Sequence, residues 1–357
     1  MEPRAVTRRG EHPPDLRGGP IAVWQCPKPH QLGAGVEQFL GRLGRPTWLH
    51  VYGRDRTRTR ALVTLQHGNE PSGARALHAW LRTEPEPAVD MLCLVASVRT
   101  ALRPPVFSHR TLPGRRDLNR CFRVPFVGPE GQLAAQVLAQ LRQVRPEALI
   151  DLHNTSGSGP AYAVATRDSA ACRALTLLFS HELVLTDLNL GALMEATSAD
   201  FPTLTIECGG AQDSAADRVA REGLERYATA DPLFELGGDG SLPRLLRHPV
   251  RVELRPGAVL RFGFEAQQDA DLTLRSDIDT LNFRTVPSGE VLGWLGPRGL
   301  DALRAFDTHG HELAGSLFRE ADGQLQSLQP LRPLMITTNV AIACSDCLFY
   351  VVRQAAS

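Results

Sequence analysis

Between residues 47 and 229, short β-branched apolar runs alternate with longer stretches in which apolar positions recur every three or four residues. The runs TWLHVYG, RALVTLQH, DMLCLVAS, PEALIDLH, ELVLTD and PTLTIEC are almost continuously apolar, which predicts strands covered on both faces. The intervening spacing predicts helices over 73–81, 129–143, 170–179 and 214–227. In the second of these, Leu133, Val137 and Leu141 form one stripe. Strand and helix in alternation imply an α/β fold with a parallel or mixed sheet. After Pro232 the pattern changes. GGDGSLP reads as a linker, and VRVEL, AVLRFGF, ADLTLR, DTLNFR and EVLGWL predict short strands of a compact β-rich unit. The last apolar run, ITTNVAIACSDCLFYVV, also reads as strand. The expected organisation is a flexible tail over 1–20, an α/β domain over 21–235 and a smaller β-rich domain over 236–357.

Composition narrows the chemistry. The 357 residues carry 39 basic and 39 acidic side chains, so the formal charge is zero and no bulk field favours nucleic acid. Lys28 is the sole lysine. A phosphate loop of the G-x-x-x-x-G-K type is therefore excluded, as is a lysine Schiff base beyond the N-terminal region. The first twenty residues are charged and rich in Pro and Gly, without the apolar stretch of a secretion signal. No run of 18 apolar residues predicts a membrane span. Seven scattered cysteines, an odd number, fit reduced thiols in a cytoplasmic protein. Cys344 and Cys347 form the one C-x-x-C and read as two core thiols, since no second pair completes a zinc site.

The segments that carry chemistry fall where strands are expected to end. Gln66-His67-Gly68-Asn69-Glu70-Pro71-Ser72-Gly73 puts an imidazole and a carboxylate three residues apart on a turn leading into a helix. Both can reach one Zn²⁺ at that spacing. Asp151-Leu152-His153-Asn154 closes a second strand, with Asp151 and His153 on one side so that one can face a site while the other supports it. Two ligands close in sequence with a distant third, His153, leave one tetrahedral position open, as catalytic zinc requires. Glu207 closes a third strand, TLTIE, and a carboxylate there is costly to bury without a partner. Between these lies the loop Arg115-Arg116-Asp117-Leu118-Asn119-Arg120. His309-Gly310-His311 reads as an exposed turn.

HGNE, DLNR, DLHN and a strand-end Glu, in this order, resemble the aspartoacylase and succinylglutamate desuccinylase family of the zinc carboxypeptidase clan. The likeness spans roughly residues 45 to 230 by motif. It implies a three-layer α/β/α domain with a mixed sheet, and a β-rich C-terminal domain overhanging the site. It further implies one zinc per chain on His67, Glu70 and His153, with Glu207 as general base. Asp117 would support His67. Asn119 and Arg120 would bind the carboxylate of the amino-acid moiety. Such a protein would be a deacylase of N-acyl amino acids or related small amides, compatible with a homodimer. The alternatives are a metallocarboxypeptidase acting on peptides and a silent metal-binding scaffold.

Two positions depart from the family pattern. Where an oxyanion arginine is expected, five residues before Asp117, the chain has Leu112; Arg110 is favoured for that role over Arg115 and Arg116. Ten residues before Glu207, where an arginine reads a second substrate carboxylate, it has Thr197, with Glu195 nearby. The expected substrate is therefore not a dicarboxylate such as acetylaspartate; the acyl or side-chain pocket is expected to favour neutral or basic groups.

Overall fold

A computed structural model describes residues 21–155, 157–187, 189–235, 241–307, 310–345 and 347–353. The expected tail over 1–20, most of the expected linker and His309 lie outside them. Nine strands form one sheet: β1 (Ala22–Gln25), β2 (Thr47–Val51), β3 (Asp55–Thr64), β4 (Val89–Val95), β5 (Leu149–Thr155), β6 (Tyr162–Ala165), β7 (Glu182–Leu185), β8 (Thr203–Gly210) and β9 (Arg244–Arg247). Their order is β1-β2-β4-β3-β5-β8-β6-β7-β9. The sheet is mixed: β2 pairs antiparallel with β4 and β6 with β8, whereas β3, β5 and β8 run parallel side by side.

Alternate residues of these strands enter two different cores. Leu62, Met91, Cys93 and Ile150 pack with Leu77 of the helix Ser72–Leu81 and Leu224 of the helix Ser214–Thr229. Ala61, Val63, Leu92 and Leu94 pack on the opposite face with Val137 and Leu141 of the helix Gly128–Val144. Burial on both faces is why these strands read as continuous apolar runs rather than as alternating ones. The helices predicted at 73–81, 129–143, 170–179 and 214–227 are present as Ser72–Leu81, Gly128–Val144, Ala170–Leu177 and Ser214–Thr229.

One charged network reaches from the surface in between the layers. Arg60 on β3 is fully buried, with Nε 2.9 Å from Glu147 Oε2 and Nη1 donating to the Tyr227 carbonyl at 2.6 Å. The Tyr227 hydroxyl donates to the carbonyls of Ala148 and Ala61, which ties the helix Ser214–Thr229 to β3 and the approach to β5.

The C-terminal part contains two further sheets. One has the order β14-β10-β18-β17, built from β10 (Val250–Leu254), β14 (Leu303–Phe306), β17 (Leu331–Leu334) and β18 (Phe349–Arg353). The other has the order β11-β12-β13-β16-β15, from β11 (Leu260–Gly263), β12 (Leu272–Arg275), β13 (Val291–Leu295), β15 (Phe318–Ala321) and β16 (Gln324–Ser327). A separate core, including Val252, Leu274, Leu325 and Phe349, lies between them. A smaller cluster joins this part to the first sheet, with Tyr162, Val184 and Leu246 meeting Leu334, Tyr350 and Val352.

Three features differ from the expectations. Beyond the boundary expected at residue 235, β9 pairs parallel with β7, so the large sheet takes its last strand from the C-terminal side of the linker. DTLNFR is not a strand: Ile278–Leu281 is a 3-10 turn, and the Asn282 side chain bonds the carbonyls of Ser158 and Ile336 and accepts the Ile336 N–H. The C-x-x-C does not sit within a strand either, because Val340–Ser345 is helical. The Asn339 side chain accepts the Ile342 N–H and caps this turn, leaving Cys344 exposed and Cys347 buried.

Removing Glu147 strands the buried Arg60 charge. Glu147→Ala is expected to cost about 3–5 kcal/mol in urea unfolding, whereas Arg60→Met, which removes the charge itself, costs far less. Equal losses for the two variants would contradict this account of the network.

Candidate active site

The carboxyl ends of three adjacent parallel strands bring the candidate residues together, the position at which open α/β sheets place their sites. After β3 the chain turns through Leu65, whose φ of 57° lies in the left-handed region that a leucine rarely adopts. This residue is fully buried, so packing holds the turn and re-aims the chain into Gln66 and His67. Gly68 follows, and a Cβ there would lie 2.6 Å from Thr100 Cγ2 and 2.7 Å from the His109 carbonyl. The missing side chain lets the Gly68 N–H donate to the Arg110 carbonyl at 3.0 Å, which brings the loop carrying Arg110 against the site. Pro71 then precedes the helix Ser72–Leu81, whose first N–H, on Ser72, donates to Asn154 Oδ1 at 3.0 Å.

His67, Glu70 and His153 are all buried, and one ligand atom from each lies within 4.8 Å of the others. The two imidazoles share one carboxylate. His67 Nδ1 is 2.8 Å from Glu70 Oε1, and His153 Nδ1 is 2.7 Å from Glu70 Oε2. Each far nitrogen meets another acid: His67 Nε2 is 2.9 Å from Asp117 Oδ1, and His153 Nε2 is 3.0 Å from Asp151 Oδ2. Asp151 also accepts from Gln66 Nε2 at 2.6 Å. Asp117 receives the Asn119 N–H at 2.8 Å and the Arg110 Nη2 at 2.9 Å.

The charges balance in a way that identifies what the site can hold. A neutral imidazole has one N–H, so it can donate to only one of two flanking carboxylates. Both histidines are accordingly held above their ordinary value: burial opposes this, but Asp151 and Glu70 outweigh it at His153, and Glu70 and Asp117 do so at His67. Burial would raise Glu70, yet His67 and His153 hold its carboxyl well below the usual range. Two protons on the Nδ1 atoms carry the same charge as one divalent cation. Replacing the pair by a dication leaves the outer carboxylates to accept from both Nε2–H groups, the usual support of metal-bound histidine. Two imidazoles, a carboxylate and an open side suit zinc.

Glu207 completes the row. It pairs in register with His153 across β5 and β8, and Tyr162 pairs with Glu207 on the other side, so the three stand abreast on neighbouring strands. Glu207 Oε2 and the Tyr162 hydroxyl are both buried without a hydrogen-bond partner among the described residues. Burial pushes the Glu207 carboxyl up to about 7, against the pull of His153. A carboxylic acid so poised exchanges a proton near neutrality.

These groups open into a cavity of about 120 Å³. Arg110, Asn119 and Arg120 line it, whereas Arg115 and Arg116 turn away, toward Glu130 and the Val127 carbonyl. Asn119 Oδ1 accepts the Leu193 N–H at 2.9 Å, so its amide N–H groups are what it can offer a ligand. The remaining wall is largely apolar: Val164, Val184 and Met194, with Leu334, Met335 and Tyr350 from the C-terminal sheet and its margin. Thr197 does not reach the cavity. Its side chain is fully buried, with the hydroxyl bonded to the Leu193 carbonyl and Thr203. Glu195 lines the cavity while accepting the N–H groups of Leu190, Gly191 and Ala192. The C-terminal contributors and Tyr162 were not legible in the sequence, where they look like ordinary strand residues.

No family model and no curated protein matches the sequence. Solved structures do match the fold. A succinylglutamate desuccinylase from Vibrio cholerae aligns over 90% of this chain and 96% of its own, with a TM-score of 0.55 and 16% identity. The enzyme of that name from Vibrio parahaemolyticus aligns over 86% of each chain, with a TM-score of 0.55 and 16% identity. The chain has the succinylglutamate desuccinylase fold. A third desuccinylase, from a Silicibacter species, aligns over 87% of this chain and 88% of its own, with a TM-score of 0.53 and 18% identity. The mixed α/β domain and the β-rich C-terminal part are thus shared with these structures.

Support of the ligands predicts the order of metal loss. The wild-type protein is expected to retain about one zinc per chain, His153→Ala to retain almost none, and Asp117→Ala to bind zinc about 10–100-fold more weakly. Elemental analysis after dialysis measures this, and full retention in His153→Ala would contradict the ligand set.

Proposed function

We propose that the chain is a zinc-dependent amidohydrolase that removes the acyl group from an N-acyl amino acid or a related small amide. The observation that carries this reading is the juxtaposition of the His67-Glu70-His153 cluster with the Glu207 carboxyl, whose Oε2 has no partner among the described residues, in a walled cavity. Zinc held by His67, Glu70 and His153 would supply Lewis acidity, acidifying water toward a pKa of about 7 and polarising the amide carbonyl. Glu207 takes a proton from the attacking water as the C–O bond forms. It returns that proton to the nitrogen as the C–N bond breaks, so that water and amide become a carboxylic acid and an amine, which the acid's own proton converts to carboxylate and ammonium. Arg110 faces the developing oxyanion, with Asp117 holding its guanidinium in place. Arg120, with Asn119 beside it, forms the fork for the substrate carboxylate.

Leu334, Met335 and Tyr350 supply part of the cavity wall, so the C-terminal part encloses what the first domain binds. That supports a small amide over the extended peptide of a carboxypeptidase. An intact Glu207 speaks against a silent scaffold.

Glu207→Gln is expected to keep its metal and lose about three orders of magnitude or more in turnover, since both proton transfers depend on this one carboxylate. Because the Glu207 pKa is raised, its base form is lost as pH falls through that value. The acid limb of kcat/KM therefore lies at or somewhat below 7, since a bound cation draws the value down. Near-normal turnover of Glu207→Gln, or activity that stays flat down to about pH 4, would refute the assignment.

Specificity follows from the lining. Arg110 and Arg120 are the arginines of the cavity, and its far wall is apolar with Glu195 beside it. Acetylaspartate is expected to be a poor substrate relative to N-acyl amino acids with neutral or basic side chains. A panel assayed with and without chelator tests this, and acetylaspartate ranking first would overturn it.

A further inference from the structure

A second cleft, of about 680 Å³, lies between β9 and the β14-β10-β18-β17 sheet, and Pro249 lines both it and the catalytic cavity. Guanidinium groups dominate its lining. Arg244, Arg247, His248, Arg332 and Arg353 line it, against Asp187 and Asp307. Most of these groups are already engaged at the rim. Arg244 Nε is 2.9 Å from Glu182, Arg247 Nη2 is 2.6 Å from Asp168, and Asp307 holds His311 at 2.9 Å.

Arg332 is different. The residue is 8% exposed, and its Nη2 donates to Thr285 Oγ1 at 3.2 Å. Its Nε and Nη1 are buried with no hydrogen-bond partner among the described residues. A buried guanidinium with open donors is strongly unfavourable unless an anion or ordered water meets it. Burial lowers the Arg332 pKa and Arg244, of the same sign, lowers it further, while Glu182, the partner of Arg244, opposes this. A core of this chain elsewhere treats such a group differently: buried Arg60 has Glu147 as its counter-ion.

We propose that this cleft is a binding site for a small oxyanion of the phosphate class, with Arg332 as its inner donor and Arg244, Arg247 and Arg353 around its mouth. A multiply charged oxyanion reaching the buried Nε and Nη1 of Arg332 would satisfy both donors and supply the counter-ion that Arg332 lacks among the described residues, which a chloride or a single water cannot do together. The site is independent of the catalytic reading, because none of its arginines faces the His67-Glu70-His153 cluster.

The test uses the metal-loaded protein with inorganic phosphate, against sodium chloride at matched ionic strength. Calorimetric titration is expected to show saturable binding with a Kd at or below about 1 mM. Thermal unfolding is expected to shift upward by about 3–4 °C at a hundredfold excess over Kd. Arg332→Met should keep or raise the Tm without phosphate, because it removes a buried unpaired charge, and should abolish the phosphate response. Arg353→Gln, at the exposed rim, should weaken binding severalfold. Arg120→Gln, which alters the catalytic cavity alone, should leave the response intact. Three results would overturn the proposal: no phosphate effect beyond that of chloride, a full response in Arg332→Met, or a response lost in Arg120→Gln.

Discussion

Glu70 is a buried carboxylate with an imidazole on each oxygen, and the rest of the site follows from that requirement. A carboxylate removed from water needs positive charge close by. His67 and His153 can supply it only if each keeps its outer nitrogen engaged, so Asp117 and Asp151 must be buried or half-buried as well. Those acids in turn draw in Arg110 and Gln66. The centre is therefore a nested set of opposite charges in which each layer offsets the cost of the one inside it. Glu207 stands at its edge without a hydrogen-bonded counterpart for Oε2, and this difference in surroundings separates the two buried glutamates: one is held ionised, the other is poised to exchange a proton.

The fold makes this arrangement affordable. Three parallel strands with both faces covered end at one edge, and register sets His153 beside Glu207 without any long flexible side chain having to be ordered. Asn154 then ties these ends together, bonding Ser72 and the Gly209 carbonyl. Among the described residues, those that the C-terminal part places on the cavity are uncharged. They contribute apolar surface, which closes the cavity and lowers its dielectric, and that strengthens every electrostatic interaction within.

How much of this could be read in the amino-acid sequence depends on the range of the interaction. The strands with two buried faces announced themselves as apolar runs, and HGNE and DLHN placed their histidines because turn chemistry is local. Arg110 could be favoured over Arg115 and Arg116 but not separated from them by sequence, since the distinction lies in which guanidinium the loop turns toward Asp117 and which toward Glu130. Thr197 was read as a missing cavity contact; in the fold its side chain is buried in the body of the domain, away from the cavity. DTLNFR and the C-x-x-C segment misled because their apolar residues serve a turn and a short helix capped by distant or local asparagines, a role with no period. The contribution of Leu334 and Tyr350 to the cavity is a long-range contact between sheets, and strand patterning is silent on it.

In the proposed centre, two imidazoles and a carboxylate from two chain segments meet on one zinc ion. X-ray absorption at the zinc edge of the loaded protein tests it most directly. The account predicts only nitrogen and oxygen neighbours at about 2.0–2.2 Å, including the outer-shell signature of two imidazole rings. A sulfur neighbour at about 2.3 Å, which would place the metal on cysteines such as Cys344 and Cys347, would contradict it.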